Sequence, residues 1–129
     1  IDTAGTTLGV SGANEAKRVQ KEYMQNHRLN IPTLLMADII HGFRTIFPIP
    51  LALGSTWDEA AVEKMAEISA KEAAVSGLHV TFSPMVDLVR DPRWGRVMES
   101  TGEDPLLNSR LAAAMVRGYQ GENLKEDNW

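Results

Sequence analysis

Cysteine is absent from the 129 residues of this chain. That excludes disulfides, thiolate metal ligands and a cysteine nucleophile, and it fits a reducing compartment. A cytoplasmic location is therefore expected, with a secreted or periplasmic one left open. No apolar run approaches the roughly 20 residues that a membrane span requires, so no membrane partner is expected. An excess of basic charge is missing too: 13 Lys and Arg face 17 Asp and Glu, a net charge of -4. That balance argues against nucleic acid, whose phosphates call for a basic face. Neither G-x-G-x-x-G nor a Walker sequence occurs, which sets nucleotides aside, and the serine-hydrolase G-x-S-x-G is also missing. The three histidines, His27, His41 and His79, share no ligand spacing, so neither a metal nor any other cofactor is expected. No initiator methionine precedes Ile1, and the chain reads as a piece of a longer protein.

What is present is an ordinary globular composition, 43% apolar and 23% charged. One domain is the expectation, and a whole eight-stranded α/β barrel, typically about 250 residues, does not fit. Residues 1–12, rich in Gly, Thr and Ser, read as a loop or frayed terminus. Ala16, Val19 and Tyr23 at helical spacing predict a helix over 13–28. Pro32 forbids its continuation. Thr33 to Ala37 is a short unbroken apolar run, the pattern of a parallel strand covered on both faces. Two prolines exclude helix from Phe47 to Pro50, and Leu51 to Leu53 reads as a brief extra strand. A helix is expected over 57–76, with Thr56 and Glu59 as a capping box, Ala61, Val62, Met65 and Ile68 as the apolar face, and Gly77 as a left-handed stop. His79 to Val86 alternates as a second strand. A last helix runs from Leu106 to Gly118, capped by Asp104 and Pro105, with Leu107, Leu111 and Met115 buried. A polar tail, Glu122 to Asn128, follows.

Strand–helix–strand order with long connections implies parallel strands and an α/β fold. The long loops after the two strands then emerge on one face. Asp38 closes the first strand on that face, where sites of parallel α/β folds lie. The second loop, Arg90 to Pro105, holds three arginines, two aspartates, two glutamates and one tryptophan. So many charges are costly to bury. A solvated connection with one ion pair is the plain reading. Trp94 between Arg93 and Arg96 favours a site, because an indole face beside guanidinium forks suits a polyhydroxylated ring.

Several motifs occur together and in order: Asp38-x-x-His41-Gly42, Phe47-Pro48-Ile49-Pro50, Ser83-Pro84 with Asp87, and Arg90-Asp91-Pro92-Arg93-Trp94-Gly95-Arg96 followed by Glu99 and Gly102-Glu103-Asp104-Pro105. From about Ile31 to Gly121 the chain resembles glycoside hydrolase family 3, in its bacterial β-glucosidase branch. The resemblance implies that 1–129 is a fragment of the N-terminal (β/α)8 TIM-type barrel domain of a retaining β-glucosidase. The implied partner is a carbohydrate, a β-glucoside or similar sugar. By this resemblance Asp38 and Arg96 contact hydroxyls of the −1 sugar, and Arg93 and Trp94 orient it or form a wall. Asp91 and Glu99 brace Arg93 or Arg96, and His41 is likewise placed behind the residues that touch the sugar. The family's nucleophile, an Asp-Trp, and its sugar-binding Lys-His do not occur here, nor does a residue matching the acid/base. No catalytic residue is therefore assigned, and the chain alone is expected to be inactive.

Two alternatives remain: a non-catalytic sugar-binding or interaction module on the same scaffold, and an unrelated doubly wound sheet holding a small anion. A few barrel units with free strand edges are also expected to self-associate.

Overall fold

The structure, a computed structural model, describes residues 4–121. The polar tail from Glu122 onward lies outside the described residues. Three parallel strands form one sheet in the order β1-β2-β3. They are β1 (Thr6–Leu8), β2 (Leu34–Ala37) and β3 (Val80–Thr81). Helix α1 (Ala13–Asn26) joins the first two, and α2 (Pro50–Gly54) and α3 (Glu59–Val75) join the second and third. A one-turn 3-10 helix, Val97–Glu99, and α4 (Pro105–Gln120) follow β3. Strand followed by helix, repeated with every pairing parallel, is the expected α/β arrangement.

The first departure lies at the start of the chain. Thr6 to Leu8, expected as loop, pairs in parallel with Leu34 to Met36. Its short polar residues gave no apolar pattern, and the pairing comes from β2 beside it. Thr7 and Thr33 join their hydroxyls across the two strands at 3.1 Å. Gln20 of α1 then grips Thr33 by both backbone groups, donating to its carbonyl at 2.6 Å and accepting from its amide at 3.1 Å. Helix α1 ends two residues before the expected bound. His27 takes extended geometry, stacks on Tyr23 at 4.8 Å, and its Nδ1 accepts from the Leu29 amide at 3.2 Å.

β2 is covered on one face, not two. Leu35 is fully buried under the helices, whereas Leu34 is 47% exposed and Leu8 of β1, opposite Met36, is 67% exposed. Leu51 to Leu53 is helical within α2 because Pro50 occupies the first helical position, where a missing N–H costs nothing. For α3 the cap is Asp58, which accepts from the Ala61 amide at 3.0 Å. Thr56 instead donates to the Leu53 carbonyl at 2.6 Å, closing the turn between α2 and α3. The buried face of α3 is Val62, Met65, Ala66, Ser69, Ala70 and Ala73, so Ala61 faces solvent and the small side chains face inward. They are small because α4 lies close: Ala114 and Gly118 pack there, with Leu111 and Met115 in the same core. Arg110 with Glu59 at 2.5 Å and Arg117 with Glu63 at 2.8 Å lace the seam.

β3 is shorter than the expected 79–86. His79 spends its backbone N–H on the Leu35 carbonyl at 2.9 Å, and its Nδ1 accepts from the Leu35 amide at 3.0 Å. Beyond Thr81 the Ser83 amide turns back to the Thr81 hydroxyl at 3.2 Å, and Pro84 has no amide to offer a ladder. Between β2–β3 and the helices lies a cavity of about 380 Å3, lined by Ala37, Ala73, Leu78, Val80 and Tyr119 among others. Asp104 caps α4 as expected, accepting from the Leu107 amide at 2.7 Å, and Gly77 stops α3 at φ +90°.

Candidate functional site

The two long post-strand loops do meet. Asp38 follows β2 directly and is exposed. Its Oδ1 accepts from the Ser83 hydroxyl at 3.3 Å, a contact between the ends of β2 and β3. Arg96, from the second loop, lies in the field of the same carboxylate. Its guanidinium is held above its ordinary value, first by hydrogen bonds to Glu99 and then by the charges of Asp87 and Asp38. Asp38, Ser83, Asp87, Arg96 and Glu99 thus form one polar rim beyond the strand ends.

Arg96 and Arg93 each have their own carboxylate. Arg96 makes a fork to Glu99, at 3.0 Å through Nε and 2.6 Å through a terminal nitrogen. The pairing holds the Glu99 carboxyl below the usual range. Arg93 grips Asp91 through Nε at 2.9 Å and a terminal nitrogen at 2.5 Å, and Asp91 also accepts from the Arg93 amide at 2.9 Å. Asp91 is likewise held low by Arg93. The bracing expected from the charge pattern is present in both cases. Such two-point pairs fix the plane of a guanidinium while leaving its remaining N–H groups free to donate.

Among the described residues, the other candidates make no hydrogen bond or ion pair with Asp38. Arg93 is 88% exposed at its side chain and turned into its pair with Asp91. Trp94 is 37% exposed, with its backbone amide on the Asp91 carbonyl at 3.1 Å. His41 places Nδ1 3.2 Å from the Phe47 carbonyl. That contact folds its own loop, which Glu72 of α3 clamps by accepting from the amides of Arg44 and Thr45 at 2.8 Å each. Among the described residues no group of three or more His, Asp or Glu side chains converges as a metal site.

The charged loop is not wholly solvated. Ser100 and Thr101 are buried. The Ser100 hydroxyl donates to the Asp87 carbonyl at 2.7 Å. Thr101 donates to Oδ1 of Asn108 at 2.5 Å, and the Asn108 amide donates to the Val86 carbonyl at 2.8 Å. These bonds pin the loop at both ends. The sequence reading missed Asn108 and Tyr119. Tyr119 lies four residues beyond Met115 on the stripe of buried α4 residues, so extending the stripe would have found it. Its hydroxyl donates to the carbonyl of Ile39, next to Asp38, at 3.2 Å.

Parallel βα units carrying a carboxylate and paired arginines at their strand ends define a segment of a barrel-type α/β domain with a polar rim. The sequence profile described as "Glycosyl hydrolase family 3 N terminal domain" matches residues 4–127. The chain belongs to that family. A β-glucosidase from Listeria innocua, solved in complex with glucose, superposes with a TM-score of 0.91 at 61% identity, over 94% of this chain and 17% of that one. A periplasmic β-glucosidase of Salmonella typhimurium is 44% identical over 119 residues, 92% of this chain and 16% of its own length. A β-xylosidase of Formosa agariphila is 39% identical over 106 residues, 74% of this chain and 15% of its own length. The chain therefore spans about one sixth of the length of these relatives, and its strands are part of a TIM-type barrel.

Proposed function

We propose that this chain supplies part of the −1 sugar subsite of a retaining β-glucosidase acting on terminal β-linked glucose or a related sugar. The observation that carries this reading is the joining of the two post-strand segments, where the Ser83 hydroxyl donates to Asp38 at 3.3 Å and the Asp38 charge reaches Arg96. A carboxylate accepts from sugar hydroxyls, and a guanidinium whose plane is held by Glu99 donates to them. Arg93 and Trp94 orient the sugar from further along the same loop. His41, Asp91 and Glu99 hold the loops in shape.

Retaining hydrolysis needs two carboxyl groups about 5 Å apart on either side of the scissile bond. Three acids of the second loop are committed otherwise: Asp91 and Glu99 to arginines, Asp104 to a helix cap. The sequence holds no Asp-Trp and no Lys-His. The nucleophile and acid/base therefore come from outside these residues, and the chain alone turns over no glycoside. For location, the Salmonella relative's name favours the periplasmic alternative over the cytoplasmic one, and fractionation of the complete protein decides.

The test is hydrolysis of aryl β-glucoside and aryl β-xyloside by the complete gene product, beside its Asp38→Ala variant. Cleavage that the variant loses supports the subsite. An inert complete protein that still binds glucose favours a non-catalytic sugar module instead.

A further inference from the structure

Asp38 is exposed at the end of a strand, and an exposed carboxylate on a loop has rotamers to lose before it can hold a hydroxyl in one place. Two side chains from other elements reduce that freedom. Ser83 donates its hydroxyl to Oδ1 at 3.3 Å from the end of β3, 45 positions away in sequence. Tyr119, buried on the last turn of α4, donates to the carbonyl of Ile39 and so holds the backbone one residue further on. The three groups feel one another: burial pushes the Tyr119 phenol up, the Ser83 hydroxyl opposes this, and the Asp38 carboxylate adds to it. Ser83 is itself held, with its amide on the Thr81 hydroxyl and a proline after it.

We propose that Ser83 is a positioning residue for the sugar subsite, orienting the Asp38 carboxylate by its hydroxyl while Tyr119 anchors the adjoining backbone. The inference rests on the sugar-subsite reading above. A single hydrogen bond between groups that water reaches adds little to the stability of the fold. Its effect falls on the geometry of Asp38, and binding energy in a transition state is sensitive to small misplacements. Only one Oδ is taken, so the other remains open to a substrate hydroxyl.

The experiment uses the complete β-glucosidase with four variants: Asp38→Ala, Ser83→Ala, Ser83→Thr and the double variant Asp38→Ala/Ser83→Ala. For an aryl β-glucoside, Ser83→Ala is expected to lower kcat/KM about tenfold, with the thermal midpoint unchanged. Ser83→Thr, which keeps the hydroxyl, is expected to recover to within about threefold of the parent. On the Asp38→Ala background the serine change is expected to matter less than about twofold, because its target is gone. A full, independent loss on that background would show that Ser83 acts by another route and overturn the proposal. So would an undiminished kcat/KM for Ser83→Ala alone while Asp38→Ala is crippled; the sugar-subsite reading would then stand by itself. An unaffected Asp38→Ala enzyme would remove both.

Discussion

The Asn108 side-chain amide, one turn into α4, donates to the Val86 carbonyl at 2.8 Å, while its own oxygen accepts from Thr101. One buried residue therefore ties the start of the arginine loop, its end and the helix behind it. Asn108→Ala leaves the Thr101 hydroxyl and the Val86 carbonyl without that partner. We expect a loss of about 1–3 kcal/mol in unfolding free energy. In the complete enzyme we also expect a lower kcat/KM, since the loop carries Arg96. Denaturant melts and aryl-glucoside kinetics read the two effects separately.

At Gly118 α4 runs tightly against α3. A β-carbon there would sit 2.3 Å from the Glu63 carbonyl oxygen and 2.6 Å from the Ala66 side chain. Backbone cannot yield cheaply, so Gly118→Ala is expected to destabilise by about 1–3 kcal/mol despite its better helix propensity. A melt showing stabilisation would mean that the seam opens more readily than its packing implies.

Arg93 and Arg96 are expected to behave differently in the complete enzyme. Arg96 shares the field of Asp38, whereas Arg93 is turned into its pair with Asp91. Arg96→Ala should cost about 100-fold or more in kcat/KM, and Arg93→Ala about tenfold or less. Arg96→Lys should recover little, because a point charge cannot reproduce the fork to Glu99. Equal losses at both positions would contradict the placement.

Several carboxyls are held below their ordinary values by partners: Glu72 by Thr45, Asp91 by Arg93, Glu99 by Arg96, and Glu67, pushed down to about 2, by Lys64 and Lys71. A depressed folded value adds stability above the unfolded value, and that contribution drains away as pH falls through the folded one. The melting temperature is therefore expected to be level from about pH 7 to 5 and to decline below about pH 4. The decline should be modest, since these pairs face water. A midpoint that rises on acidification would contradict it.

The open face of the sheet makes a prediction about the chain in isolation. Leu8, Leu34 and Phe82 are 67%, 47% and 53% exposed. Alone in solution it is expected to self-associate, as bare apolar surface and free strand edges do. Light scattering after size exclusion checks this, with a clean monomer as the contrary result.

Local chemistry determined a good part of this protein from sequence. The Asp104–Pro105 cap, the Gly77 stop, the α1 and α4 stripes and the bracing of Arg93 and Arg96 are all readable there, because each depends on residues within a turn or two of one another. The linked motifs from Asp38 to Pro105 carried the family as well. Tertiary structure decided what depends on a distant neighbour. Thr6 to Leu8 is a strand only because β2 lies beside it. The inward face of α3 is the small-residue one because α4 approaches so closely. Asp38 has Ser83, Tyr119 and Arg96 around it only because the parallel strands end on the same side. Periodicity records which face of an element is apolar; it does not record which partner, at what distance, that face or the loop beyond it will meet.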